Sequence, residues 1–462
     1  MMQLDHDLIY QLLEQAKNST SEQREVAVRR AENGETLDYL DIALLLEITE
    51  PELLARIYRV AGDIKKKIYG NRVVLFAPLY VSNHCVNNCV YCGFQRCNEM
   101  PRRRLTREEI QQEVRVLERM GHKRLALEAG EDPVNCDIQY ILDALDAIYD
   151  TKLDNGSIRR VNVNIAATTV EEYRMLHEKG IGTYILFQET YHKPTYEAMH
   201  PHCRKSNYDY HLTAFDRAME AGIEDVGAGV LFGLYDPKFE VLGLMMHNAH
   251  LEERFGVGFH TISMPRLKQA EGMSLKDFPH LVDDETFKHL VAILRIAVPY
   301  TGIIMSTRES AQMRDEVLRY GVSQISAGSN TEIGGYKQEE DSPHETVSGQ
   351  FQLSDERRPL EVIKTLIENG YIPSYCTACY RQGRTGDRFM QLAKSGTIQN
   401  TCTPNALMTL LEYMLDYGDP ELTEMGGHLL ENELNKIENP NVQRIVRRNI
   451  ERMRAGERDL FL

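Results

Sequence analysis

Leu8, Leu12 and Leu13, and later Leu44, Leu45 and Leu46 ahead of TEPELLARIYRVAG, recur at helical spacing before residue 60, which predicts a helical lead-in. From residue 72 the pattern changes. Short apolar or β-branched runs now alternate with amphipathic stretches, as βα units on a parallel sheet require. Eight such runs occur, at 73–83, 124–131, 160–167, 183–189, 225–233, 260–267, 301–309 and 323–329. Between the first two lies LTREEIQQEVRVLERMGHKR, where Thr106 and Glu109 have capping-box spacing, Ile110, Val114 and Leu117 share an apolar face, and Gly121 ends the helix. NYDYHLTAFDRAMEAGI and SAQMRDEVLRYG repeat the helix-then-glycine plan. The order fits an α/β fold, a (β/α)8 barrel over residues 72–370 with its active site at the C-terminal ends of the strands, preceded by a helical extension over 1–71. A doubly wound open sheet is the structural alternative. Past residue 370 the periodicity turns to helices and loops, so 371–462 is expected to be a separate C-terminal helical domain.

Length and charge narrow the chemistry. A chain of 462 residues has room for a large core and appendages. Its net charge of -16 argues against nucleic acid as a partner, since that affinity rests on Lys and Arg neutralising phosphates; Arg102, Arg103 and Arg104 form too short a basic stretch to reverse it. No apolar run long enough for a membrane span is present, and the opening MMQLDHDLIY is acidic where a signal peptide is basic. Cytoplasmic localisation without membrane attachment is the expectation.

The nine cysteines change the picture most. Four fall in NHCVNNCVYCGFQRCN: Cys85-x3-Cys89-x2-Cys92 on one loop directly after the first strand, then Cys97. An odd number clustered at short spacing points to metal or redox chemistry rather than a disulfide framework. A tetrahedral zinc site wants four ligands, so zinc would recruit Cys97, whereas a 4Fe-4S cube held by three thiolates leaves one iron open. A second set is Cys376-x2-Cys379-x22-Cys402, again three ligands, which zinc would complete only with a distant residue such as His280. Cys97, Cys136 and Cys203 otherwise read as incidental or buried thiols. Arg308 in STRE and Arg266 in MPRL are strand-end guanidiniums able to grip a carboxylate bidentately, or to pin a loop through Glu309 or Glu271. His260 opens the sixth run, where a lone histidine is either packed or a ligand.

The CxxxCxxC loop after strand one resembles that of the radical S-adenosylmethionine (SAM) superfamily, whose cluster binds the amino and carboxylate groups of SAM through its open iron. The resemblance implies a first SAM-binding 4Fe-4S cluster on Cys85, Cys89 and Cys92, with Tyr91 near the adenine. It implies a methionine-amino site at Ala129, Gly130 and Glu131, where Ala129 departs from the usual first glycine. It further implies a ribose site at Gln188, Glu189 and Thr190, and an adenine-lining segment in GAGVLFGL. With the second cysteine set, and with FQETYH, HTISMPRL, MSTRE and ISAGSNTEIGGY, nearly the whole chain resembles the radical SAM tyrosine lyases that mature FeFe-hydrogenase. The thiamine-pathway tyrosine lyases look similar through the barrel but lack the second set. The implied activity is cleavage of the Cα-Cβ bond of L-tyrosine to p-cresol and a dehydroglycine fragment converted to carbon monoxide and cyanide, with Arg308 or Arg266 holding the tyrosine carboxylate. The implied second cofactor is a 4Fe-4S cluster on Cys376, Cys379 and Cys402 carrying a labile iron bound by His260 and a free L-cysteine. Other hydrogenase maturases and an electron donor are the implied partners. A non-enzymatic iron-sulfur scaffold is the rival of another class, and it would have no use for Glu131, Tyr91 or SAM turnover.

Overall fold

In the computed structural model, which describes residues 2–154, 156–342 and 349–462, each of the eight runs contains a strand of one parallel sheet. They are β1 (Arg72–Ser82), β2 (Arg124–Ala129), β3 (Arg160–Asn164), β4 (Tyr184–Glu189), β5 (Val226–Val230), β6 (Thr261–Ser263), β7 (Gly302–Met305) and β8 (Gln324–Ser326). Neighbours pair in chain order. β8 then returns to β1, with Val74 opposite Gln324 and Phe76 opposite Ser326, so the sheet closes into a barrel and the open-sheet alternative falls.

The helix Arg107–Arg119 shows how local sequence builds each βα unit. The Glu109 amide donates to Thr106 Oγ1 at 3.3 Å and the Thr106 amide to Glu109 Oε2 at 2.7 Å, closing a cap that contributes about 1 kcal/mol. Ile110, Val114 and Leu117 are buried. Gly121 then turns the chain at φ +92°, and a Cβ there would meet the Tyr413 ring at 2.2 Å, so the stop is also a docking point for the C-terminal helices.

Four helices, His6–Lys17, Ser21–Glu32, Tyr39–Leu46 and Pro51–Tyr69, form the lead-in and pack on the outer barrel helices Pro237–Phe255 and Asp284–Ala297. The C-terminal segment departs from its expected helices and loops. It begins with a ninth strand, β9 (Ile372–Ser374), parallel to the start of β1 with Val73 opposite Pro373. A three-residue run with a central proline reads as loop, yet at a sheet edge that proline's missing N–H costs no ladder bond. Helices Gln399–Tyr417, Pro420–Asn435 and Pro440–Arg454 pack behind β9, and one continuous apolar core runs through the lead-in, barrel and C-terminal helices. Among the described residues no helix is long and apolar enough to cross a membrane.

Candidate functional site

Two cavities occupy opposite ends of the barrel. The upper, about 210 Å³, opens at the C-terminal ends of the strands; the lower, about 70 Å³, lies at their N-terminal ends against β9.

Cys85, Cys89, Cys92 and Tyr91 all line the upper cavity. The loop that carries them is fastened from below: the Val86 amide donates to the Glu131 carbonyl at 2.8 Å, and a Cβ on Gly130 would stand 2.3 Å from the His84 carbonyl oxygen. Glycine is therefore demanded at 130 and not at 129, which explains why Ala129 is tolerated. Burial pushes all three thiols up, Cys92 to about 11, so thiolates here need cationic compensation such as cluster iron provides. Gln350 Nε2 donates to Cys92 Sγ at 3.8 Å and is itself held by the Tyr80 hydroxyl at 2.8 Å, a donor aimed at a ligand sulfur. The residues present fit an iron-sulfur cluster. Cys97 is exposed and does not line the cavity, so zinc completed by Cys97 is not built here.

Several supporting groups escaped the sequence reading because their partners lie far away along the chain. Asn87, inside the cysteine loop, donates to Glu131 Oε2 at 2.6 Å and accepts from the Lys205 amide at 2.9 Å. Arg204 pairs with the other Glu131 oxygen at 2.9 Å. The Lys205 ammonium pairs with Glu189 at 2.7 Å beside Cys89. Burial holds His200 neutral, its pKa lowered to about 3; one ring nitrogen lies 2.7 Å from the Tyr196 carbonyl, so the other accepts from the Tyr91 hydroxyl at 2.8 Å.

Strand alternation corrects the ribose site. Phe187 and Glu189 face the cavity, and a register shift between them turns Glu189 inward at φ +67°. Gln188 and Thr190 point the other way and do not reach the cavity: the Thr190 hydroxyl donates to buried Glu240, and Gln188 is buried beside it.

The two arginines part company as well. Arg308 lines the cavity with its guanidinium 3.4 Å over the Phe351 ring and no ion-pair partner among the described residues. Arg266 does not line it. It is clamped by Glu309, by Asp284 at 2.7 Å and by the Val282 carbonyl at 3.1 Å, which makes it the loop-pinning arginine and removes it as a substrate ligand.

The lower cavity gathers Cys376, Cys379 and Cys402 with His260, Arg72, Arg124 and Asp225. Cys379 and Cys402 share a hydrogen bond that raises the first thiol and lowers the second, while burial raises Cys376. Burial lowers the pKa of His260 and so favours neutral imidazole, the form that ligates metals. Its Nδ1 lies 3.4 Å from Asp225 without making a hydrogen bond, an orphaned donor-acceptor in a cavity of thiols. Soft sulfur with one imidazole suits iron. His280 packs on Tyr235 at 5.2 Å and does not line this cavity, so the zinc completion suggested for it fails. No three His, Cys, Asp or Glu side chains among the described residues are arranged around a single ion.

Residues 79–244 match the Radical SAM superfamily pattern, and residues 263–372 match the Biotin and Thiamin Synthesis associated domain. The chain is 56% identical to a solved structure of HydG, a maturase of the FeFe-hydrogenase, with TM-score 0.95 and 99% of each chain covered. Against the maturase HydG from Carboxydothermus hydrogenoformans the identity is 38%, the TM-score 0.83, and the coverage 96% of this chain and 97% of that one. It is also similar to 2-iminoacetate synthase of Escherichia coli, 30% identical over 75% of this chain and 89% of the relative.

Proposed function

The chain belongs to the radical SAM family of the hydrogenase maturase HydG, related to 2-iminoacetate synthase, and from that premise we propose that it cleaves L-tyrosine in the upper cavity and processes the fragment at the lower one. The observation that carries this reading is the pair of three-thiol cavities at opposite ends of one barrel, each with a single well-placed non-cysteine group: unpaired Arg308 above and orphaned His260 below.

Cys85, Cys89 and Cys92 would hold the first 4Fe-4S cluster. When bound, the reduced cluster and SAM supply a one-electron cleavage that yields a deoxyadenosyl radical able to abstract hydrogen from the substrate. The protein's own residues do the rest. Glu131, fixed by Asn87 and Arg204, and the Gly130 backbone present acceptors where the methionine amino group would sit, and Tyr91 offers an aromatic wall oriented by His200. Arg308 grips the tyrosine carboxylate, its guanidinium plane fixed on Phe351. Leu231, Met264 and Phe187 give the cavity an apolar lining. The products are p-cresol and a dehydroglycine fragment.

At the lower cavity Cys376, Cys379 and Cys402 would hold a second 4Fe-4S cluster, and His260 with a free L-cysteine would hold an additional labile iron; together these would supply the chemistry that turns the fragment into carbon monoxide and cyanide for the hydrogenase's active site. Residues 1–71, 72–370 and 371–462 then serve as helical extension, SAM barrel and auxiliary-cluster domain. An electron donor and other maturases are the partners, and the cytoplasm is the compartment. The alternative, release of the fragment as in 2-iminoacetate synthase, leaves the lower thiols and His260 without a task.

The experiment is His260→Ala in anaerobically reconstituted protein. Iron analysis should show the loss of about one iron per chain with both cubes kept. Infrared bands of iron-bound carbon monoxide and cyanide should vanish while p-cresol accumulates at close to the wild-type rate. Unchanged iron content and unchanged bands would remove His260 from the site; p-cresol falling together with stability would make it a packing residue.

A further inference from the structure

The proposed cleavage leaves one proton unassigned. Taking the tyrosine ammonium to the neutral imine of the dehydroglycine fragment, which keeps its Cα–H, removes from nitrogen one hydrogen atom, which goes to the deoxyadenosyl radical, and one proton, which needs a base. The p-hydroxybenzyl radical released at the Cα–Cβ bond takes an electron from the external donor and a proton to become p-cresol. Among the described residues three carboxylates line the upper cavity: Glu128, Glu131 and Glu189. Glu131 is committed to Arg204 and Asn87, and Glu189 to Lys205. Glu128 has no cation partner within ion-pair distance among the described residues. Its Oε2 accepts from Asn164 Nδ2 at 2.6 Å, its Oε1 carries no hydrogen bond among the described residues, and the cation acting on it is Arg308, which lines the same cavity.

Resting on the tyrosine reading of this cavity, we infer that Glu128 accepts the substrate's ammonium proton, with Asn164 holding its far oxygen and Arg308 presenting the substrate by its carboxylate. In that step an N–H bond of the ammonium breaks, its electron pair stays on nitrogen, and an O–H bond forms at Glu128 Oε1. An amino acid gripped by its carboxylate keeps its ammonium one carbon away, so a base for the amine belongs near Arg308 and not deeper in the barrel. Burial supplies the matching basicity: it raises the Glu128 carboxyl to about 8 against the opposing pull of Asn164 and Arg308. A chain-terminal α-ammonium titrates near 8, and that of a free amino acid, stabilised by its own carboxylate, somewhat higher, so the transfer to Glu128 is only modestly uphill, whereas an ordinary glutamate would face a deficit of at least about four powers of ten. Other groups face Glu128 from the neighbouring strands. The Tyr80 phenol on β1 is pushed well above its usual value, Arg308 beyond β7 stays a cation, Asn164 on β3 does not titrate, and Glu189 on β4 is ion-paired.

Glu128→Gln tests the inference, because the amide oxygen can still accept from Asn164 while the proton acceptor is gone. Tyrosine affinity, read by equilibrium dialysis, should change by less than about threefold, and p-cresol formation should fall by about a hundredfold or more. In the wild type, kcat/KM for tyrosine should rise with pH and level off near 8, because below that pH the free protein carries a protonated Glu128 that cannot accept. The variant should lose this limb. Glu128→Asp, which keeps a carboxylate, should be slower than wild type but retain a limb, and it serves if the Gln variant does not fold. A Gln variant within threefold of the wild-type p-cresol rate, or an Asp variant with a flat profile, overturns the role of Glu128 alone. Absence of p-cresol from the wild type itself would overturn the tyrosine reading and this inference with it.

Discussion

Cys89→Ala is expected to abolish 5'-deoxyadenosine formation, by about a thousandfold or more, while the far-ultraviolet circular dichroism and the denaturation midpoint stay close to wild type. Cys89 is buried against Tyr91 and Leu231 and faces a cavity, so trimming its thiol enlarges a space that already exists and costs little packing. The ligand role proposed for it has no substitute. Cys85 and Cys92 sit on the same loop, Cys97 does not line the cavity, and Glu131 and Glu189, the nearest other anions, are held by Arg204 and Lys205. A cube bound by two thiolates leaves two irons without a protein ligand and is poorly retained, so SAM loses its site. Retained 5'-deoxyadenosine formation in the variant would refute the assignment of the upper cavity.

Cys376→Ala should divide the reaction. Its thiol lies at the lower cavity, beneath the barrel, where the Arg124 guanidinium donates to its carbonyl at 3.3 Å and β9 anchors it beside β1. The upper cavity shares none of its lining residues with the lower one. Substitution should therefore leave p-cresol formation within about threefold of wild type and suppress carbon monoxide by about a hundredfold or more, measured in the same reaction mixture. Equal loss of both products would mean that the second thiol set is structural, and the metal content of the wild type would then discriminate iron from zinc.

The barrel was legible because each strand is a short apolar run bounded by helix caps, and period and punctuation agree. Strand ends were not. β6 spans only Thr261–Ser263 of the predicted 260–267; beyond it the pairing thins to an isolated parallel bridge between Arg266 and Phe232, with the Arg266 side chain on Glu309. The thiol sets were legible from spacing, because three ligands of one cluster must lie close on a loop. The substrate side of the site was harder to read. Arg308 and Arg266 look alike as strand-end arginines, and they are separated only by Glu309, which adjoins the first in sequence but reaches the second in space. The resemblance marks Gln188, Glu189 and Thr190 together, whereas of the three only Glu189 lines the cavity. Lys205, Asn164 and Asp225 have no local pattern at all. Their places arise from groups on other elements: Glu189 for Lys205, Glu128 for Asn164, and for Asp225 the Gly386 amide that donates to it at 2.9 Å.

The most direct test of the whole account is product analysis of the anaerobically reconstituted wild-type protein supplied with reductant, SAM and tyrosine labelled with carbon-13 at its carboxyl and α carbons. The account predicts 5'-deoxyadenosine and p-cresol, with label recovered in carbon monoxide and in cyanide. SAM cleavage without p-cresol, or p-cresol with all label remaining in a released two-carbon acid, would contradict it.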